Sequence, residues 1–168
     1  GERVWPLVAE ALATAIDALD RMRRTEGATL AADMRAVCGE VRQIVGSIRG
    51  RVPAAVERHR QRLVERVAGL LAERGAGLSD ADVTREIVLV ADRSDISEEL
   101  VRLESHLDQF ERFLDEESSG RQLDFLSQEL AREANTVAAK SADVEIAHAV
   151  VEAKTRIERL REQVQNLE

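Results

Sequence analysis

Between Gln128 and Lys140 two polar ridges run side by side. Gln128, Arg132 and Asn135 recur at steps of four and three, as do Glu129, Glu133, Thr136 and Lys140. On a helix turning 100° per residue these ridges adjoin, with Leu123, Leu126, Leu130, Ala134 and Val137 on the packed side. Carboxylates four residues apart, Glu129 and Glu133, can share a divalent cation through hard oxygen ligands. Arg132 can clamp a phosphate, and Asn135 can orient a water or a base edge. The plainer reading is a solvated face laced with ion pairs, each worth a few tenths of a kcal/mol.

A second set lies upstream. Asp95, Glu98, Glu99, Arg102 and His106 stand opposite an Ile/Leu seam, and Glu99, Arg102 and His106 fall at i, i+3 and i+7. A histidine among carboxylates can move protons near neutral pH or bind a metal. A lone histidine on a helix face also serves as an ordinary surface or interfacial residue. His59 lies among arginines, which suits phosphate contact only weakly, and His148 has no cluster around it. There is no Gly-rich phosphate loop, His-Glu-x-x-His, Cys-x-x-Cys or nucleophile elbow. With no Tyr, three Phe and one Trp, base stacking would fall to arginine planes, leaving phosphate and shape to be read.

The elements that must position these residues read as helices. Pro6 suits a first helical turn, and Leu7, Val8, Ala11, Leu12, Ala15, Ile16, Leu19 and Met22 recur at helical spacing. This helix is expected to stop near Glu26-Gly27, with Thr29 capping the next. Leu30, Met34, Val37, Val41, Ile44 and Ile48 then step by four and three, the seam of a coiled coil or helical hairpin. Cys38 falls in that seam as a small core residue. Gly46, Gly50 and above all Pro53 predict a kink or short break. A stripe through Val56, Leu63, Val67 and Leu70 follows, ending at Gly75-Ala76-Gly77. Ser79 or Asp80 would cap a further helix to about Ala91, although Ile87 to Val90 alone is ambiguous. Asp95 with Glu98 reads as a capping box before a seam through Ile96, Leu100, Leu103, Leu107, Phe110 and Leu114. Ser141 to Asp143 reads as a turn and cap before Ile146, Val150, Ala153, Ile157, Leu160, Val164 and Leu167. The expected class is all-α, long antiparallel helices in a bundle or hairpin arrangement, with residues 1–77 as one helical region and 78–168 as a second.

Composition agrees with that class: 168 residues, 44% apolar and 33% charged, with one cysteine. The net charge of −8 argues as a whole against nucleic acid, but it is unevenly distributed. Residues 42–74 carry 8 Arg against 3 Glu, and residues 75–118 carry 4 Arg against 13 acids. Such neighbours could hold RNA beside a metal, or simply pair two helices by charge. No apolar run approaches the roughly 18 residues of a membrane span. No signal-peptide pattern opens the chain, so a cytoplasmic protein is expected.

Several of these stretches have a familiar order. Gly120-Arg-Gln-Leu-Asp-Phe-Leu126, Gln128-Glu-Leu-Ala-Arg-Glu-Ala-Asn-Thr136, Lys140-Ser141 and Arg161-Glu-Gln-Val-Gln-Asn-Leu-Glu168 resemble the carboxy-terminal signature of the YicC/YloC family. Asp95-Ile-Ser-Glu-Glu-Leu-Val-Arg-Leu-Glu-Ser-His106 resembles its acidic segment, and Met22-Arg23, Glu26-Gly27 and Leu30 its earlier helical part. The resemblance runs from about Trp5 to Glu168, and the family usually has a further region before that point. It implies a metal-dependent endoribonuclease acting on RNA as a homo-oligomer, a hexamer, with no membrane and no small-molecule cofactor. On the residues so matched, the leading expectation takes His106, Glu129 and Glu133 as catalytic. Asp95, Glu98, Glu99, Glu129 and Glu133 would hold a divalent ion, Mn or Mg. Arg102, Gln128, Arg132, Asn135 and Lys140 would contact RNA. The competing expectations are a non-catalytic oligomerisation module and an RNA-binding adaptor.

Overall fold

The structure, a computed structural model, describes residues 4–74, 95–116 and 119–165. Those residues form four helices and no strand: α1 (Trp5–Arg74), α2 (Ser97–Phe113), α3 (Gly120–Lys140) and α4 (Val144–Gln165). The all-α expectation holds. The helix proposed over 79–91, with its ambiguous Ile87–Val90 run, lies outside the described residues, as do Gly75–Gly77, Leu167 and the side chains of Val67 and Leu70.

α1 packs on α2 and α4, and α3 packs on the same two, so α1 and α3 occupy opposite corners of a four-helix bundle. The directions can be read from ion pairs. Arg35 of α1 meets Asp115 just past α2, Arg42 meets Asp108 at 2.6 Å and Glu111 at 2.9 Å, and Arg49 meets Glu104 at 2.7 Å. Rising numbers on α1 meet falling numbers beyond it, so these helices are antiparallel. α4 likewise runs against α1, through Arg156–Glu40 at 2.6 Å and Arg159–Asp33 at 2.8 Å. Arg42 and Arg49 of the basic segment are thus spent on acids of the acidic one.

The four-three seams meet inside. Met34, Val37, Cys38, Val41, Val45 and Ile48 of α1 pack with Leu100, Leu103, Leu107 and Phe110 of α2. Leu123, Leu126, Leu130, Ala134 and Val137 of α3 join Ile146, Val150, Ile157, Leu160 and Val164 of α4. Fully burying each large aliphatic side chain is worth about 1.5–3 kcal/mol, so the seams carry the fold. Leu30 and Ile44, expected in the α1 seam, are only partly buried at its margin, while Val45 takes a full core place.

Two expected breaks are absent. α1 passes through Glu26-Gly27 and through Pro53 without a break. Nothing lies within 4 Å of a Cβ built at Gly27, so the glycine costs helix propensity and no more, about 1 kcal/mol against alanine. Pro53 is exposed, so the carbonyl it leaves without a helical donor faces water. At 1.5 Å per residue α1 is about 105 Å long, roughly three to four times the other helices, and it overshoots the bundle at both ends. Its amino-terminal arm leaves Trp5, Val8, Leu12, Ile16, Leu19 and Met22 exposed, with Trp5 at 69%. No helix among the described residues is long and apolar enough to cross a membrane.

Candidate functional site

The site stands where α2 and α3 pack side by side. The α2 stripe Asp95, Glu99, Arg102 and His106 faces the α3 stripe Lys140, Glu133 and Glu129, in antiparallel order. At one end His106, Glu129 and Glu133 each offer a ligand atom, and these atoms all lie within 4.8 Å of one another. Glu133 is 3% exposed, and His106 and Glu129 are half-buried. Nδ1 of His106 is buried and has no hydrogen-bond partner. One imidazole nitrogen and two carboxylates form a donor set of the type a divalent ion such as manganese, magnesium or zinc takes, with a guanidinium beside each carboxylate.

The next layer along the stripe is cationic. Arg102 pairs with Glu98 on its own helix, and its Nη1 donates to Glu133 Oε1 at 3.4 Å. The charge of Glu98, with the hydrogen bond to Glu133, raises the pKa of Arg102 and keeps it a cation. One arginine thus neutralises the buried carboxylate, which explains how Glu133 tolerates burial. One turn further, Lys140 Nζ donates to Glu99 Oε1 at 2.7 Å and to the Asp95 carbonyl at 3.1 Å. The Glu99 carboxylate raises the Lys140 pKa. Glu99 is 4% exposed and its second oxygen, Oε2, has no partner.

The candidates from the sequence therefore divide. His106, Glu129 and Glu133 come together. Glu99 faces Lys140 instead, at the far end of the stripe. Glu98 is exposed on Arg102. Asp95 accepts the Ser97 backbone N–H at 2.9 Å, and hydrogen bonding from Ser97 holds its pKa down. The capping box expected from Asp95 and Glu98 is replaced by this single turn, because Glu98 is engaged by Arg102. Arg132 Nη1 donates to Glu129 Oε2 at 3.2 Å, bringing a second guanidinium to the edge of the cluster. Gln128 donates to Asp124 at 2.8 Å, and Gln128 and Asn135 both face solvent on the outer ridge. Spacing gave no sign that Glu133 is buried, because the partner helix that covers it is supplied by tertiary packing.

The far end of α3 is fixed by Asp143. Its Oδ1 accepts the backbone N–H groups of Glu145 and Ile146, both at 3.1 Å, the cap expected for α4. It also receives Arg51 at 3.2 Å and Arg58 at 2.6 Å from α1. Arg58 above all, helped by the Ile146 N–H and Arg51, pulls the Asp143 carboxyl down to about 2.

Comparison with known proteins gives the family. Residues 48–168 match the family described as Endoribonuclease YicC-like, C-terminal. The chain belongs to the YicC-like family. It is similar to the probable endoribonuclease YicC of Clostridioides difficile (strain 630), 36% identical over 166 residues, covering 98% of this chain and 56% of that protein. The probable endoribonuclease YicC of Haemophilus influenzae (strain ATCC 51907 / DSM 11121 / KW20 / Rd) is 40% identical over 122 residues, 72% of this chain and 41% of the relative. The YicC-like chain thus spans about half the length of the curated relatives it matches. The matched span includes α2, α3 and α4 entire, and so every residue of the site.

Proposed function

We propose that this chain carries the cleavage centre of a metal-dependent endoribonuclease that works as a homo-oligomer. The observation that supports it most is the His106, Glu129 and Glu133 cluster, built on helices within the matched family region. The relatives' printed names supply the reaction class. A divalent ion held there would activate water and offset charge developing on the phosphate. His106 would contribute the nitrogen ligand and Glu129 and Glu133 the oxygens, leaving proton transfer to water or to another group. Arg132 stands at the open edge, 66% exposed, where it can exchange its bond to Glu129 for a phosphate oxygen. Arg102 holds Glu133 in place and offsets its charge. Lys140 extends the cationic line along the strand's path. Glu99 orients Lys140, and Glu98 orients Arg102. Gln128 and Asn135, on the outer ridge, would meet the part of the RNA that leaves the helix surface.

The test is a single-turnover assay on a labelled hairpin RNA with manganese, magnesium or a chelator, paired with manganese calorimetry. Glu129→Gln and His106→Ala should each lower cleavage by at least about 100-fold and abolish the calorimetric signal. Undiminished cutting in chelator, or in both variants, would defeat the metal reading. The homo-oligomer draws support from the exposed Trp5–Met22 stripe. Leu12→Asp with Leu19→Asp should reduce the mass measured by light scattering, and an unchanged mass would remove the arm from the assembly.

A further inference from the structure

We infer that α1 and the turn between α3 and α4 form a groove that binds the phosphates of an extended RNA strand leading to the cleavage centre. This inference rests on the nuclease reading and adds the substrate's path. Past the core, α1 presents His59, Arg62 and Arg66 at i, i+3 and i+7, on one face. All three line a single groove of about 570 Å³, closed on its other side by Ala142. The groove continues into a smaller recess shared by His59, Arg62, Lys140 and Ser141 over an apolar floor of Val56 and Ile96.

The arginines of this region have two different roles. Arg51 and Arg58 are committed to Asp143, so their charge is already matched. Among the described residues, Arg62 and Arg66 form no ion pair, and both are exposed. His59 Nε2 is buried in the structure with no hydrogen-bond partner. One carboxylate, Glu65, shares the groove. Against it stand Arg62 and Arg66, so the groove retains a cationic surplus facing open space, while Lys140 in the adjoining recess is already matched by Glu99.

The path is continuous. Lys140 lines the recess and also ends the stripe that begins at Glu129 and Glu133. Glu133 and Lys140 are seven residues apart, so they share a face of α3 about 10 Å apart along its axis. A strand laid across Arg66, Arg62 and Lys140 would therefore arrive at the cluster. Among the described residues no Phe, Tyr or Trp lines the groove, so stacking is limited to the His59 ring, and guanidinium groups read phosphates without regard to sequence. The ligand class is single-stranded RNA held by its backbone, with riboses over the apolar floor.

The experiment uses the full chain and a fluorescein-labelled oligouridylate, with binding followed by anisotropy across a salt series in chelator, so that cleavage plays no part. Arg62→Ala with Arg66→Ala is compared with Arg23→Ala with Arg24→Ala on the exposed arm. Thermal melts by circular dichroism confirm that both are folded. Loss of two phosphate contacts should weaken binding roughly tenfold and lower the slope of log affinity against log salt by about 1.4, at about 0.7 per phosphate. The arm variant should match wild type. An unchanged slope, or an equal loss in the arm variant, overturns the groove. Polyglutamate competing as well as oligouridylate overturns RNA as the ligand in favour of an acidic protein. Binding with the expected slope change but no cleavage in metal supports the groove and defeats the nuclease reading alone.

Discussion

Replacing Asp143 separates two jobs done by one carboxylate. Asp143→Asn keeps a side-chain oxygen for the α4 backbone N–H groups but removes the charge that Arg51 and Arg58 share. Asp143→Ala removes both. The carboxyl falls from 3.8 to about 2, and a fall of this size corresponds to roughly 2.4 kcal/mol at 1.36 kcal/mol per unit. The aspartate side chain is 10% exposed, but Arg51 and Arg58 are 41% and 49% exposed, so solvent screening reduces the figure to about 1 kcal/mol. Loss of an N-cap costs about 1 kcal/mol more. Urea titrations followed by circular dichroism at pH 7 should therefore place Asn about 1 and Ala about 2 kcal/mol below wild type. The pH sign follows from a depressed acid. Its contribution is complete above the unfolded value of 3.8 and is lost as pH falls through that value toward 2. The wild-type advantage over Asn should accordingly shrink progressively between about pH 5 and pH 1, and also in 1 M salt, where the screening length is about 3 Å. Equal stability of Asn and wild type at pH 7, or a gap undiminished near pH 2, would refute the assignment of this energy to the arginines.

Two further outcomes are expected. Lys140→Met should lower the urea midpoint by leaving Glu99 buried beside an apolar side chain, and adding Glu99→Gln should recover part of the loss. A double variant no better than Lys140→Met would show that the pair is not coupled. Burial, reinforced by Glu111, pushes the Cys38 thiol up to about 12, so at pH 8 it is protonated as well as enclosed. Ellman's reagent should react at least about 100-fold more slowly with native protein than in urea, and rapid stoichiometric labelling of the native state would contradict that burial.

The core was legible because its signal is periodic. Ile146, Val150, Ala153, Ile157, Leu160 and Val164 were named from spacing, and each is buried. Cys38 was placed inside by the same logic. The stops were misread because glycine and proline mark helix ends only where the chain can do better by turning. In α1, long helical runs on both sides of Gly27 and Pro53 outweigh the local cost. The site was legible in its residue types but not in its grouping. Periodicity assigned Glu129 and Glu133 to a common ridge, yet it was α2 that brought His106 to them and sent Glu99 to Lys140. The Arg62 and Arg66 groove was missed because a basic segment looks the same whether its charges are matched or not. Only the position of Asp143 separates Arg51 and Arg58 from those two.

The arginine ladder on α1 also answers how a helix of 70 residues knows where along the bundle to stop. Its apolar spacing continues beyond the core in Leu12, Leu19 and Met22, so hydrophobicity alone would tolerate a slip of one heptad, about 10.5 Å. Arg35, Arg42 and Arg49 stand seven residues apart, opposite Asp115, Asp108 with Glu111, and Glu104. Slipping one way would bring Ala28 opposite Asp115, and slipping the other way would bring Val56 opposite Glu104. Either slip forfeits a rung. The three arginines thus act as graduations on a ruler. They meter how far each end of α1 reaches past the bundle, and therefore the distance at which Arg62 and Arg66 stand from the His106, Glu129 and Glu133 cluster.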